Sequence, residues 1–243
     1  MSADPAHAEH TLDHLRRVGR HNVEQLVAAA TLLVDHIRND GLVFTAGAGH
    51  SLAGVMESFY RAGGLAAVHP LYHPELLPLH GATSSSGAER RSGFAREVLD
   101  EAGFRHVDDL LVVFSNSGIN PYPVELARTV REAGAPVIAL TSPAASATAP
   151  RRAGSTLAEQ ADIVLDTLVP PGDSSYPVTA PVTAPLSSLT NTHLWNLLLV
   201  QAHEIAEVDG IELPVWCSAN VHDGDEANAN NLARYEPRIP GLR

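Results

Sequence analysis

Apolar positions recur along this chain in two rhythms, and the alternation between them predicts an α/β fold. From residue 5 to residue 38, Leu12, Leu15, Val18, Leu26, Ala29, Leu33 and Ile37 fall at three- and four-residue steps or their sums. That is the period of a helix burying one face. Asn39-Asp40-Gly41 then closes this long N-terminal helix in a turn. Short apolar runs follow at residues 41–46 (GLVFTA), 65–71 (LAAVHPL), 110–114 (LLVVF), 136–140 (PVIAL) and 161–167 (ADIVLDT). Their length and β-branched content suit buried strands. Pro70 marks the end of the second run or an edge position, because proline offers a sheet no N–H. Helical patterns lie between the runs: LAGVMESFYRAGG after the first, residues 89–102, and a segment beginning near Pro121. Strands alternating with helices in this way predict a five-stranded parallel sheet with right-handed crossovers.

The remaining stretches read differently. Residues 72–93 (YHPELLPLHGATSSSGAERRSG) are rich in proline, histidine and serine and predict a loop with some local helix. Residues 169–186 are proline-rich and extended. A closing helix runs from Ser187 or Thr190 to about Val208, with Leu186, Leu189, Leu197 and Val200 on one face and His193 among them. Beyond it the chain is loop-rich and polar; Asp223-Gly-Asp-Glu lacks the spacing of a calcium loop and reads as a turn. Nothing marks a second hydrophobic core. The expectation is one domain over 1–243: an N-terminal helix (1–40), a sheet core (41–170), the closing helix (187–208) and a C-terminal extension (209–243).

Composition narrows the function classes. With 44% apolar and 18% charged residues in 243, the chain is expected to fold rather than stay disordered. A net charge of −12 argues against nucleic-acid partners but not against a small anion held in a local cradle. The single cysteine, Cys217, can form no intrachain disulfide. No run is long enough to span a membrane and MSADPAHAEHTLDH lacks a signal-peptide core, so a soluble cytoplasmic protein is expected. His7, His10, His14 and His21 share the first helix, but no carboxylate or cysteine completes a metal shell, and they read as a solvated polar face. His69, His73 and His80 are too irregularly spaced for zinc; a substrate role for them stays open. Neither a metal nor a cofactor is expected.

The candidate chemistry sits in three turns, each directly after a strand. Gly47-Ala-Gly49-His50-Ser51 follows the first. It is not a dinucleotide fingerprint, since the third glycine would fall at Leu52, and no Gly-Lys-Ser/Thr makes it a Walker loop. Ser115-Asn116-Ser117-Gly118 follows the third strand, and Thr141-Ser142 the fourth. Hydroxyls and glycines where a strand enters a helix can cradle an anion through unpaired N–H groups, the helix dipole and O–H donors. No lysine stands in the Ser115–Gly118 turn, so a phosphate there would be held by dipoles and hydroxyls. In open parallel sheets, ligands bind beyond the carboxyl ends of the strands, where these turns stand.

GAGHS, SNSG and ALTS, in that order and each after a strand, resemble the sugar isomerase (SIS) domain family of phosphosugar-binding proteins. The long first helix and the closing helix with His193 are similar to its single-domain, phosphoheptose-isomerase-like branch. FYRAGG (Phe59–Gly64), SNSGINPYPVE and SANVHDGDE (Ser218–Glu226) resemble a little-characterised subgroup. The resemblance implies a three-layer α/β/α sandwich of the flavodoxin-like SIS type, in homodimers or homotetramers with sites near the interface. It implies that Ser51, Ser115, Ser117 and Ser142 bind the phosphate of a sugar phosphate, with Gly47, Gly49, His50, Asn116, Gly118 and Thr141 completing the cradle. It also implies His193 as an acid/base and Glu57 as the catalytic base. Glu57 stands closer to the serine than the family spacing places the glutamate, and Glu89, beside the serine-rich loop, is the alternative.

An aldose–ketose isomerase moves a proton through an enediol, and its hold on the remote phosphate positions the reacting carbons. The same domain also supports a lyase that cleaves the lactyl ether of N-acetylmuramate 6-phosphate, and non-catalytic phosphosugar sensors. A nucleotide-binding α/β domain is the plainest alternative.

Overall fold

The computed structural model describes residues 5–104 and 108–243; the first four residues of the expected N-terminal segment lie outside it. Five parallel strands make the central sheet: β1 (Val43–Gly47), β2 (Val68–Leu71), β3 (Leu110–Phe114), β4 (Val137–Thr141) and β5 (Ile163–Asp166). Their order, β2-β1-β3-β4-β5, is flavodoxin-like and reverses direction between β1 and β3. β1, β3 and β4 are buried along their whole length, which is why their sequences carry no polar alternation. Pro70 lies on edge strand β2, where a missing N–H breaks no ladder.

Two groups of helices flank the sheet. The first comprises α1 (Pro5–His21), α2 (Val23–Arg38), α3 (Leu52–Ser58) and the closing helix α9 (Ser187–Asp209). The second comprises α4 (Ala82–Glu89), α5 (Phe94–Ala102), α6 (Pro121–Glu132) and α8 (Leu157–Gln160). A short helix α7 (Pro143–Thr148), a hairpin of β6 (Ser174–Tyr176) and β7 (Thr183–Pro185), and α10 (Gly224–Tyr235) complete the α-helices and strands of the described residues. No helix among the described residues is long and apolar enough to cross a membrane.

Several boundaries differ from the sequence reading, each for a local reason. The N-terminal helix is two helices, broken at the buried Asn22. Its Nδ2 donates to Val18 O and to Asp166 O, both at 2.8 Å, and its Oδ1 accepts from Asp166 N at 2.7 Å. The apolar rhythm passes through the break and cannot register it. In α1 the buried face holds His14 and Val18, and Leu12 is exposed. His14 is therefore not part of a solvated face: its Nε2 lies 3.1 Å from Thr190 Oγ1 on α9. Burial and then the nearby Arg17 hold its pKa below the ordinary histidine value.

The local helix expected within residues 72–93 is α4, and α5 starts at Phe94 rather than at Glu89 because Gly93 turns left-handed at φ 85°. Helix α3 stops at Ser58, leaving FYRAGG outside it. On α9 the core face is Leu194, Trp195, Leu198, Ala202 and Ala206, whereas Leu189 and Val200 are more than half exposed. The C-terminal stretch is not all loop. Helix α10 is docked by a polar anchor, buried Asn228, which accepts from Cys217 N at 2.8 Å and donates to Cys217 O at 2.9 Å. A polar anchor leaves no hydrophobic period to read.

Replacing Asn22 by alanine strands the Asp166 backbone groups, and unfolding in urea should report a loss of about 2–3 kcal/mol. His69 on β2 is only 7% exposed and stacks on Phe44 at 4.6 Å. Burial pushes its pKa down to about 4 against the pull of Asp109. The unfolded chain thus binds this proton first. Stability contributed by the neutral ring is full above about pH 6.5 and falls by up to about 3 kcal/mol as pH drops towards 4. Denaturation midpoints measured from pH 7 to 4 should fall less steeply for His69→Leu than for the parent chain.

Candidate functional site

The turns after β1, β3 and β4 stand together at the carboxyl edge of the sheet, at the point where strand order reverses. Those after β1 and β3 border a cleft of about 490 Å³ lined by His50, Ser51, Ser115, Asn116, Ser117 and Glu89. Thr148, Asp173 and Ser187 complete its polar wall.

Each turn is shaped by close packing. A Cβ on Gly47 would lie 2.8 Å from the Ser51 carbonyl oxygen, so the chain can fold back only with glycine there. Gly49 then opens a single 3-10 turn that ends at Ser51. Gly118 adopts φ 57°, and a Cβ on it would come within 2.7 Å of Thr141 Oγ1.

The two hydroxyls after β4 face inward. Thr141 and Ser142 are fully buried. Ser142 Oγ donates to Val169 O at 2.8 Å and accepts from Ala145 N at 3.2 Å, capping α7. Thr141 Oγ1 donates to Asn116 O at 3.3 Å, which also accepts from Ser142 N at 2.9 Å. Thr167 Oγ1 reaches Asn116 Oδ1 at 2.9 Å, and Ser146 Oγ reaches Ser117 O at 2.6 Å. The β4 turn thus fixes the shape of the β3 turn and does not itself line the cleft.

The hydroxyls of Ser51, Ser115 and Ser117 behave oppositely. Among the described residues they donate to no protein group, and neither do the amides of Ser117 and Gly118. Helix α6 adds less than a strand-to-helix joint suggests, since Pro121 and Pro123 carry no N–H in its first turn. Donors in the cleft therefore come from turn amides and hydroxyls. At the start of α9 the helix dipole is already matched by a carboxylate. Asp173 Oδ1 accepts from Leu186 N at 3.0 Å and Ser187 N at 2.8 Å, and Oδ2 accepts from Ser187 Oγ at 2.6 Å. Glu89, at the end of α4, faces the cleft with no ion pair or hydrogen bond among the described residues.

Comparison with known proteins gives this geometry a family. Residues 7–142 match the SIS domain family. The chain belongs to it. A UPF0309 protein of Streptomyces coelicolor is 40% identical over 235 residues, covering 94% of this chain and 93% of its own. One from Listeria innocua is 34% identical over 239 residues, 96% of this chain and 95% of its own. In fold, the chain is similar to a phosphoheptose isomerase from Francisella tularensis, with TM-score 0.53 at 16% identity over 84% of this chain and 100% of that one. A phosphoheptose isomerase from Neisseria gonorrhoeae gives TM-score 0.50 at 21% identity over 85% and 97%.

Within this SIS fold the expected residues are distributed unevenly. His50, Ser51, Ser115, Asn116, Ser117 and Glu89 converge on the cleft, and Gly47, Gly49 and Gly118 shape it. Glu57 is outside the cleft lining: it lies late on α3 and is held by Arg61 at 2.7 Å. His193 is half-buried against α1, where a Cβ on Gly19 would be 3.8 Å from its Nε2. Six residues separate it from Ser187 on α9, about 9 Å of helical rise. His73 caps the following turn through Glu75 N at 3.2 Å. The described residues hold no cluster of three histidine, cysteine, aspartate or glutamate side chains spaced for a metal. Asp173, Ser187 and Thr148 were not singled out by sequence; the one local signal was the Gly172-Asp173-Ser turn inside a proline-rich stretch.

Gly118→Ala should force the β3 turn away from Thr141. A loss of roughly 1–3 kcal/mol on unfolding is expected, with Gly49→Ala, which meets no neighbour, losing less.

Proposed function

We propose that this SIS-family chain binds a sugar phosphate in the cleft and interconverts its aldose and ketose forms. The observation that carries this reading is one cleft that gathers three serine hydroxyls, the Ser117 amide and the Glu89 carboxylate, none of them partnered among the described residues. Ser51, Ser115 and Ser117 with the Ser117 amide supply neutral donors for phosphate oxygens. Hydrogen bonds to a charged acceptor are about twice as strong as neutral ones, which offsets the acidic field of the chain. The sugar then extends from its phosphate towards Glu89.

In this reading Glu89 removes the proton from the carbon beside the carbonyl, an enediol forms, and the proton returns to the neighbouring carbon. Glu89 is preferred to Glu57 as base because it faces the cleft and no cation competes for it. His193 serves as acid/base at the oxygens across a subunit boundary, in a homodimer or homotetramer, since its own chain keeps it away from the cleft. The cytoplasm is the compartment that such a substrate implies.

Calorimetric titration against a panel of sugar phosphates tests the binding. Ser115→Ala combined with Ser117→Ala should weaken the phosphorylated ligand about 100-fold and leave its unphosphorylated analogue nearly unchanged. Equal loss for both ligands would place the phosphate elsewhere. Glu89→Gln should retain binding and lower isomerisation by about 10²–10⁴-fold, followed by solvent-deuterium exchange at the reacting carbon. Full turnover in Glu89→Gln would sink its role as base. Release of lactate from N-acetylmuramate 6-phosphate, with no ketose formed, would establish the lyase instead.

A further inference from the structure

A second hollow, separate from the cleft, opens along the flank of α3 beside edge strand β2. Its volume is about 480 Å³, within the range of small-molecule pockets. Leu52, Val55 and Met56 of α3 form one wall, and Tyr72 and Leu77 the other. Among the described residues, no arginine, aspartate or glutamate lines it.

His69 completes that wall, and it is the feature that marks the hollow as more than an apolar gap. The residue is 7% exposed and neither ring nitrogen has a hydrogen-bond partner among the described residues; Nδ1 is fully buried, which leaves Nε2 as the nitrogen that can meet a molecule in the hollow. A buried polar side chain left unpartnered is unusual, because the missing hydrogen bond is a direct cost to the folded state. At neutral pH the ring carries no charge, since burial pushes its pKa down to about 4. Nε2 can then act as N–H donor or as acceptor, according to the tautomer. An ion entering the hollow would find no counter-charge, whereas a neutral molecule loses little on leaving water. Met56, 74% exposed at the rim, is a flexible, polarisable side chain suited to adapting to what enters.

We propose that this hollow is a second ligand site, taking a neutral, mostly apolar small molecule with one hydrogen-bonding group directed at His69. It does not depend on the sugar-phosphate reading. The two sites meet at the start of one short helix, for Leu52 of the hollow directly follows Ser51 of the cleft.

N-phenyl-1-naphthylamine, a neutral apolar fluorophore with a single N–H, is a direct probe. Titrated into the full chain, it should brighten saturably, with one site per chain and half-saturation at roughly micromolar concentration. Met56→Glu, at an exposed position that folding tolerates, should weaken it at least tenfold. His69→Leu should weaken it about tenfold through the lost hydrogen bond. Ser115→Ala should leave it unchanged. The proposal fails if brightening does not saturate, or if Met56→Glu and the parent chain bind equally. It also fails if Ser115→Ala abolishes the signal, which puts the probe in the cleft. Weaker probe binding as chain concentration rises and sedimentation shows association would assign the hollow to a second copy instead.

Discussion

The candidate site depends on how the turn after β3 is locked to the turn after β4. Asn116 is the centre of that lock. Its carbonyl receives Ser142 N and Thr141 Oγ1, and its side-chain oxygen receives Thr167 Oγ1 from the end of β5. Gly118 closes so tightly over Thr141 that a methyl group has no room. Three strand ends are thereby fixed to one another by groups pointing inward. Among the described residues the Ser115 and Ser117 hydroxyls of the β3 turn are left without partners, and they line the cleft. Hydroxyls that hold structure and hydroxyls free to hold a ligand are thus separated by a difference of side, not of residue type.

Neutral donors dominate this site. The cleft lining contains no arginine, and the sequence as a whole contains no lysine. An anion there would be bound through short-range hydrogen bonds, which act only at contact. Long-range steering by an acidic protein would oppose its approach rather than assist it. Asp173 adds a second constraint. By capping α9 it neutralises a helix terminus that could otherwise compete for the anion, and it ties the proline-rich stretch to the rim of the cleft.

Elsewhere, polar side chains set the limits of elements whose interiors are apolar. Asn22 divides the N-terminal helix and attaches the break to the end of β5. Asn228 docks α10 by bonding both backbone groups of Cys217. His14 sits inside, against Thr190, where the sequence pattern suggested a wet face. Each works through side-chain-to-backbone or side-chain-to-side-chain bonds between residues far apart in sequence. No apolar rhythm encodes such pairings.

Five strands, their order of appearance and the three turns were all legible in the sequence. Burial on both faces produces uninterrupted apolar runs, and sharp turns demand glycine and hydroxyl residues. Family membership was legible for the same reason, since the turns recur in fixed order. Which hydroxyls face the cleft was decided only in three dimensions: Ser142 stood beside Ser115 as a candidate, but its Oγ is bonded to Val169 O and Ala145 N. Glu89 and Glu57 were likewise separated by packing, because α4 ends at the cleft while α3 turns Glu57 towards Arg61. Local preference fixes where a strand stops and a helix starts. Which side chains are left with something to bind depends on contacts made across the whole chain.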